Sequence, residues 1–216
     1  MEIINPLAET YAAKFTSPED ELLLQINTDT YAQHAHAHML SGHVQGRLLS
    51  FISTIAKPKY ILEIGTFTGY SALCLAEGLR EDGELHTIEL REEDAATAKK
   101  YFSRSVYNDK INVHNGDAME IISTLPYFWD IVFIDADKIN YIAYFKMVID
   151  RLSDNGFIIA DNVLFHGDVL NDEIKGKNAK AIDEFNQFVV AQTDCEQVML
   201  TVRDGLLFIK KKKKCN

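Results

Sequence analysis

Two short stretches of the chain concentrate oxygen-bearing side chains at positions where chemistry can be done. Asp135-Ala136-Asp137-Lys138-Ile139-Asn140-Tyr141 follows an apolar run at 130–134, and Asp161-Asn162 follows another at 156–160. Short apolar runs bounded by turn signals read as buried parallel strands. Neighbouring parallel strands bring their carboxyl ends together, and with them Asp135, Asp137, Lys138, Asp161 and Asn162. Converging carboxylates repel strongly unless a cation neutralises them. A hard divalent ion suits the oxygens of Asp135, Asp161 and Asn162. Three protein oxygens would leave three positions on an octahedral ion, enough for two neighbouring hydroxyls and a water. Mg²⁺ is the first expectation, with Mn²⁺ or Ca²⁺ as alternatives. The competing reading is a solvated acidic loop whose acids cap helices.

A second constellation lies earlier, where the run at 60–64 enters Glu63-Ile64-Gly65-Thr66-Phe67-Thr68-Gly69-Tyr70-Ser71. Gly65 lets backbone approach a ligand closely, and Gly69 opens the next helix. Glu89 ends the following strand, where a carboxylate can accept both ribose hydroxyls of an adenosine. The glycine spacing is G-x-x-x-G, not the G-x-G-x-x-G that cradles a pyrophosphate. Glu63 would repel a pyrophosphate, yet it suits a ligand that carries an ammonium and a sulfonium. Both features favour S-adenosylmethionine (SAM) over a dinucleotide; a ligand-free strand-helix turn is the plainer alternative. Asp117, in Asn115-Gly116-Asp117-Ala118, can take an adenine amino group, cap a helix, or do both.

The elements that must hold these residues follow from periodicity. Residues 19–31 and 43–55 carry helical patterns, the first with Ser17-Pro18 as its expected cap and first turn. Strands are expected at 60–64, 84–90, 111–114, 130–134 and 156–160. Helices are expected at 70–79, 91–102, 139–152 and 180–191. A hairpin of strands at 197–202 and 206–210 closes the chain, with Arg203-Asp204-Gly205 as its turn. The resulting class is α/β: a seven-stranded, mostly parallel sheet with the last strand antiparallel and helices on both faces. Ligands in such sheets bind outside the carboxyl ends of the strands, where the unusual residues lie.

Composition excludes several functions. At 216 residues the chain suits one domain, 1–216. Residues 1–55 would be an N-terminal helical region for lid or dimer contacts, and 210–216 a basic tail that stops the last strand. A net charge of −10 disfavours general affinity for nucleic acid. No apolar stretch is long enough for a membrane span, and the start lacks the features of a signal peptide. Three scattered cysteines, an odd number, suit a reducing compartment, so the cytoplasm is expected. His34, His36 and His38 invite a zinc reading, but no cysteine or nearby acid in the sequence completes a closed site.

Taken in order, LEIGTFTGYS, HTIEL, NGDA, DADKINY and IADNVLFHG resemble the metal-dependent SAM O-methyltransferases, which include caffeoyl-CoA O-methyltransferase and its bacterial relatives, with catechol O-methyltransferase more distant. The resemblance spans about residues 30–210, and DADK-x-NY paired with ADN carries most of its specificity. It implies a Rossmann-like class I methyltransferase fold and the use of SAM and a divalent metal. It makes Asp135, Asp161 and Asn162 the metal ligands. Glu63, Gly65, Thr66, Ser71, Glu89, Ala118 and Asp137 would hold SAM, and Asp117 joins them from the reading of the third strand end. Ser41 matches a lid residue over the cofactor, Lys138 a catalytic base, and Asn140, Tyr144 and His166 the substrate contacts. The family implies a homodimer. His166 stands where plant enzymes have Asn, and little of their N-terminal arm is present, which puts a coenzyme A thioester in doubt.

The expected reaction is methylation of one hydroxyl of a small aromatic vicinal diol. An amino-directed methyltransferase would place an Asn/Asp-Pro-Pro-aromatic motif after the fourth strand, where this chain has DADK. A nicotinamide oxidoreductase is disfavoured by the glycine spacing. A non-catalytic SAM-binding protein would be expected to lose the metal ligands.

Overall fold

A computed structural model describes residues 3–213. Three helices come first: α1 (Pro6–Phe15), α2 (Glu21–Gln33) and α3 (His43–Ala56). The α/β alternation then runs β1 (Tyr60–Ile64), α4 (Tyr70–Ala76), β2 (Glu84–Glu89), α5 (Glu92–Phe102), β3 (Ile111–Asn115), α6 (Ala118–Thr124), β4 (Trp129–Ile134), α7 (Tyr141–Val148) and β5 (Leu152–Asp161). It ends in α8 (Lys177–Val190), β6 (Cys195–Leu200) and β7 (Leu206–Lys211).

The seven strands form one sheet in the order β3-β2-β1-β4-β5-β7-β6, with β7 antiparallel to both β5 and β6. Successive side chains of a strand face opposite sides, and the core divides accordingly. Leu62, Ile64, Val132, Ile134, Ile158 and Ala160 pack with α7 and α8, whereas Ile61, Ile131, Phe133 and Ile159 pack with α2, α3, α4 and α5. Strands this apolar on both faces must be covered on both, as parallel sheets require. Strand order reverses between β1 and β4, which makes their carboxyl ends the ligand crevice.

Several boundaries differ from expectation. Helix α2 starts after Asp20, whose side chain accepts from Leu23 N at 2.7 Å, so Asp20 and not Ser17 is the cap. The helix expected at 139–152 is interrupted: a 3₁₀ turn at Lys138–Asn140 precedes α7, and another at Ile149–Arg151 follows it. Strand β5 begins at Leu152, earlier than expected, and its pairing with β4 shifts register between Trp129 and Ile131. Strand β6 lies two residues earlier than expected because Leu200 pairs with Leu206, leaving 201–205 as the connection. The lysine run does not end the last strand at its first member. Lys210 and Lys211 belong to β7, and Lys210 pairs with Glu196 across to β6. Lys214 and Cys215 lie outside the described residues. Helices α1 and α6 were not individually expected.

Candidate active site

Parallel register sets the positions of the strand tips. Ile64 pairs with Ile134, and Ile134 with Ala160, so Gly65, Asp135 and Asp161 follow one another across the sheet edge. The approach at Gly65 is so close that a Cβ there would lie 2.0 Å from the Asp135 carbonyl oxygen, and its φ is +101°. Only glycine fits both conditions.

The 3₁₀ turn after β4 brings Lys138 back over these tips. Its Nζ donates to Asp135 Oδ1 at 3.0 Å, to Asn162 Oδ1 at 2.7 Å and to the Tyr141 hydroxyl at 2.7 Å. Burial works to lower the Lys138 pKa, but Tyr141 and Asp135 outweigh it and hold the ammonium above the usual lysine range. The side chain is therefore a cation in this arrangement. Asp161 is buried, and burial together with the neighbouring Asp135 carboxylate pushes it up to about 7. Its Oδ1 accepts from Asn162 N at 2.6 Å and its Oδ2 from Gln45 Nε2 at 2.5 Å. Asn162 itself has a left-handed backbone, φ +58°.

At the other end of the crevice, Glu63 is wholly buried on β1, with Ser71 Oγ donating at 2.7 Å and Thr87 Oγ1 at 2.5 Å. Thr66 shares a 2.5 Å hydrogen bond with Thr87, which extends this chain of hydroxyls. Burial pushes Glu63 up to about 8 against the pull of its two hydroxyl donors. A cationic ligand beside it would favour the carboxylate and draw the proton off. Glu89 receives Phe67 N at 2.8 Å and Arg91 N at 2.9 Å, which fixes both oxygens at the end of β2. Asp117 caps α6 through Met119 N at 2.7 Å, the capping reading left open by the sequence. Asp137 is oriented by the Tyr144 hydroxyl at 2.6 Å and Asn140 Nδ2 at 2.7 Å.

One cleft of about 760 Å³ joins the two ends. Ser41, Gly65, Thr66, Ser71, Glu89, Asp117, Ala118, Asp135, Asp137, Lys138, Asn140, Tyr144, Asn162 and His166 all line it. Glu63 and Asp161 lie beneath its surface, each behind residues that do line it. The expected site residues are thus gathered in one place.

Three polar residues at this site were not singled out in the sequence as site residues. Arg203 donates to the carbonyls of Leu40, at 2.7 Å, and Ser41, tying the segment around Ser41 to the β6–β7 connection. Asp204 accepts from His166 N at 2.5 Å and so holds the loop after β5. Gln45 reaches Asp161 from α3. In the sequence Arg203 and Asp204 read as turn residues, and Gln45 sits inside an apolar helical pattern. Their partners are at least 38 positions away in sequence, so no local signal exposes them.

His34 ends α2 and its ring nitrogen lies 3.1 Å from Asp94 of α5, an acid that sequence proximity did not suggest. Among the described residues no three His, Cys, Asp or Glu side chains are gathered to hold an ion. The candidate set at the strand tips has two carboxylates and one amide. Asp135, which is half-buried, and Asn162 already turn their oxygens to one cationic atom, Lys138 Nζ, and Asp161, buried, precedes Asn162 in the chain. Hard oxygens converging on a positive charge fit a hard divalent ion.

The sheet order, with a glycine turn after β1 and acids at the ends of β1, β2, β4 and β5, defines a doubly wound methyltransferase. The chain belongs to the O-methyltransferase family, whose model matches residues 13–212. A catechol O-methyltransferase of Niastella koreensis is 32% identical, over 88% of this chain and 87% of its own length. A caffeoyl-CoA O-methyltransferase of Stellaria longipes is 28% identical, over 89% and 84% respectively. Among solved structures, the SAH-bound methyltransferase PaMTH1 of Podospora anserina superposes with a TM-score of 0.89 at 28% identity, covering 96% of this chain and 95% of that one. The O-methyltransferase TomG of Streptomyces achromogenes, solved in complex with SAM, has a TM-score of 0.87 at 25% identity and 96% coverage of both chains.

Proposed function

We propose that the protein transfers the methyl group of SAM to one hydroxyl of a small aromatic vicinal diol of the catechol, flavonoid or hydroxycinnamoyl type, with a divalent ion at Asp135, Asp161 and Asn162. The observation that carries this reading is the convergence of Asp135 and Asn162 oxygens on one cationic atom, in the cleft that Ser71 and Glu89 also line and beneath which Glu63 lies. Relatives named for catechol and caffeoyl-CoA methylation support the substrate class. Solved relatives holding SAM or its product SAH support the donor.

Methyl transfer from a sulfonium is an in-line displacement that requires an anionic oxygen and a straight approach. When bound, the ion would supply Lewis acidity, favouring the phenolate of a hydroxyl whose free pKa is near 10. This chain supplies the rest. Glu63, Ser71 and the Gly65 turn accommodate the amino-acid end of the donor, and Glu89 the ribose. Asp137, held by Tyr144 and Asn140, aligns the donor beside the acceptor. Lys138, kept as an ammonium by its partners, balances the anionic oxygen. Beside a divalent ion its pKa would fall against the hold of those partners, so that Lys138 would take up the hydroxyl proton as the base and then hold the phenolate. Positioning both reactants in one cleft removes the entropy of their encounter.

No helix among the described residues is long and apolar enough to cross a membrane. We read the chain as one cytoplasmic domain that pairs through its N-terminal helices, where Leu7, Tyr11, Phe15, Phe51 and Ile55 are exposed. Sedimentation across a concentration series tests the pairing. The substrate class is tested by a panel in which catechol, resorcinol and phenol compete for SAM in the presence of Mg²⁺. Only the vicinal diol is expected to be methylated efficiently. Equal rates for all three would remove chelation from the account.

A further inference from the structure

We propose that Gln45 is a positioning residue that fixes the Asp161 carboxylate in its ion-facing orientation. This rests on the divalent-ion reading of the strand tips. Gln45 lies in the first turn of α3, its side chain is 0% exposed, and its Nε2 donates to Asp161 Oδ2 at 2.5 Å. Asp161 Oδ1 is pinned separately by Asn162 N at 2.6 Å. Each carboxylate oxygen therefore has one donor and keeps one lone pair. The group cannot rotate about its Cβ–Cγ bond without breaking a contact, so the direction of its remaining lone pairs is set by Gln45.

The amide is oriented by elementary electrostatics. Reversing it would set Gln45 Oε1 against a carboxylate oxygen, acceptor against acceptor. With Nε2 facing Asp161, Oε1 is left buried and without a partner. A buried acceptor lacking a partner weakens a fold, and leucine or methionine would fill this volume without that penalty. Packing alone does not select glutamine here.

The arm that carries Gln45 is firm. Gly46 lies so close to α4 that a Cβ would stand 2.5 Å from the Tyr70 ring, and Ser53 Oγ donates to Leu75 O at 2.5 Å further along the same contact. Helix α3 therefore cannot slide to relax the Gln45–Asp161 distance. Outer partners of this kind hold ion ligands in their binding rotamer, and their loss typically weakens ion binding about 10–100-fold.

Mn²⁺ is the probe, with free ion followed by its paramagnetic resonance in wild-type protein, Gln45→Met, Gln45→Asn and Asp161→Ala. Gln45→Met keeps the volume and removes the donor; Gln45→Asn keeps the amide but withdraws it by one methylene. Both are expected to raise the Mn²⁺ dissociation constant about tenfold or more, while SAM binds the ion-free variants within about twofold of wild type, and Asp161→Ala is expected to abolish ion binding. Unchanged Mn²⁺ affinity in a folded Gln45→Met or Gln45→Asn overturns the proposal. So does an equal loss of SAM affinity without ion, because that would mark a general packing role. Mn²⁺ binding that survives Asp161→Ala would instead sink the underlying ion reading, and the role of Gln45 with it.

Discussion

Lys138 Nζ stands 3.0 Å from Asp135 Oδ1, so the first strand-tip carboxylate is already balanced by a cation of the chain itself. The contact comes from the 3₁₀ turn that follows β4, which folds Lys138 back over the residue three positions before it. With that ammonium facing Asp135 and Asn162 the strand tips are partly neutralised before any ion arrives, and Lys138 must yield these oxygens to an ion that takes them, which frees it to face the acceptor oxygen.

Replacing Lys138 by Ala should therefore slow methylation more than it weakens substrate binding. A side chain that takes up the proton of the reacting hydroxyl typically contributes about 10²–10⁴-fold to turnover. A drop in kcat of that order, with the diphenol KM changed less than about threefold, is the expected outcome in steady-state kinetics at saturating SAM. An unchanged kcat would remove Lys138 from the chemistry.

Asp161→Ala should abolish turnover while leaving SAM binding by calorimetry nearly intact, because Asp161 is buried at the ion end and lies apart from the Glu63 end of the cleft. Excess Mg²⁺ is not expected to restore activity. Substantial rescue would mean that Asp161 is dispensable as a ligand.

Glu63 makes SAM affinity depend on pH. Its carboxyl is pushed up to about 8 by burial, so below that pH the ligand-free protein holds it protonated. A cationic ligand favours the carboxylate, so binding expels a proton, and affinity should rise by up to about tenfold per pH unit towards pH 8 and then level off. Glu63→Gln should flatten this rise in calorimetry across the same range; the titration of SAM itself is common to both proteins. Stability without ligand runs the other way. The folded pKa lies above the unfolded value of 4.5, so the native state binds the extra proton between those values. Wild type should lose stability relative to Glu63→Gln as pH rises through that window, and then run parallel to it.

Much of this site was legible because buried parallel strands announce themselves as apolar runs, and the residue after each run is forced to the crevice. Gly65, Asp135 and Asp161 stand out in this way, and Glu89 as the acid that ends a strand. The competing capping role of Asp117 was legible as well, and the structure shows it. What escaped was non-local or short. Helix α1 has no buried residue to mark a core-facing stripe, and α6 spans only Ala118–Thr124 with a single buried position, Ile122. Strand β5 begins in Leu152-Ser153-Asp154-Asn155-Gly156, whose polar middle reads as a loop; Ser153 is held there by Asp130 at 2.6 Å. Gln45, Arg203 and Asp204 act across the fold on partners that sequence spacing cannot reveal.

Gly65→Ala probes the closeness of β1 to β4. The added methyl would fall 2.0 Å from the Asp135 carbonyl oxygen at a φ of +101°. Backbone strain and displacement of the Asp135 tip should together cost about 2 kcal/mol or more, read as a lower midpoint in denaturant with an unchanged slope. A variant as stable as wild type would show that the two strand tips are not rigidly apposed.

The most direct test of the central claim is methylation of catechol by SAM after the protein has been stripped with a strong chelator and dialysed, with divalent ions then added back. The account predicts negligible turnover in stripped protein and recovery with Mg²⁺ or Mn²⁺, with SAM affinity little changed throughout. Full activity in the stripped protein would contradict it.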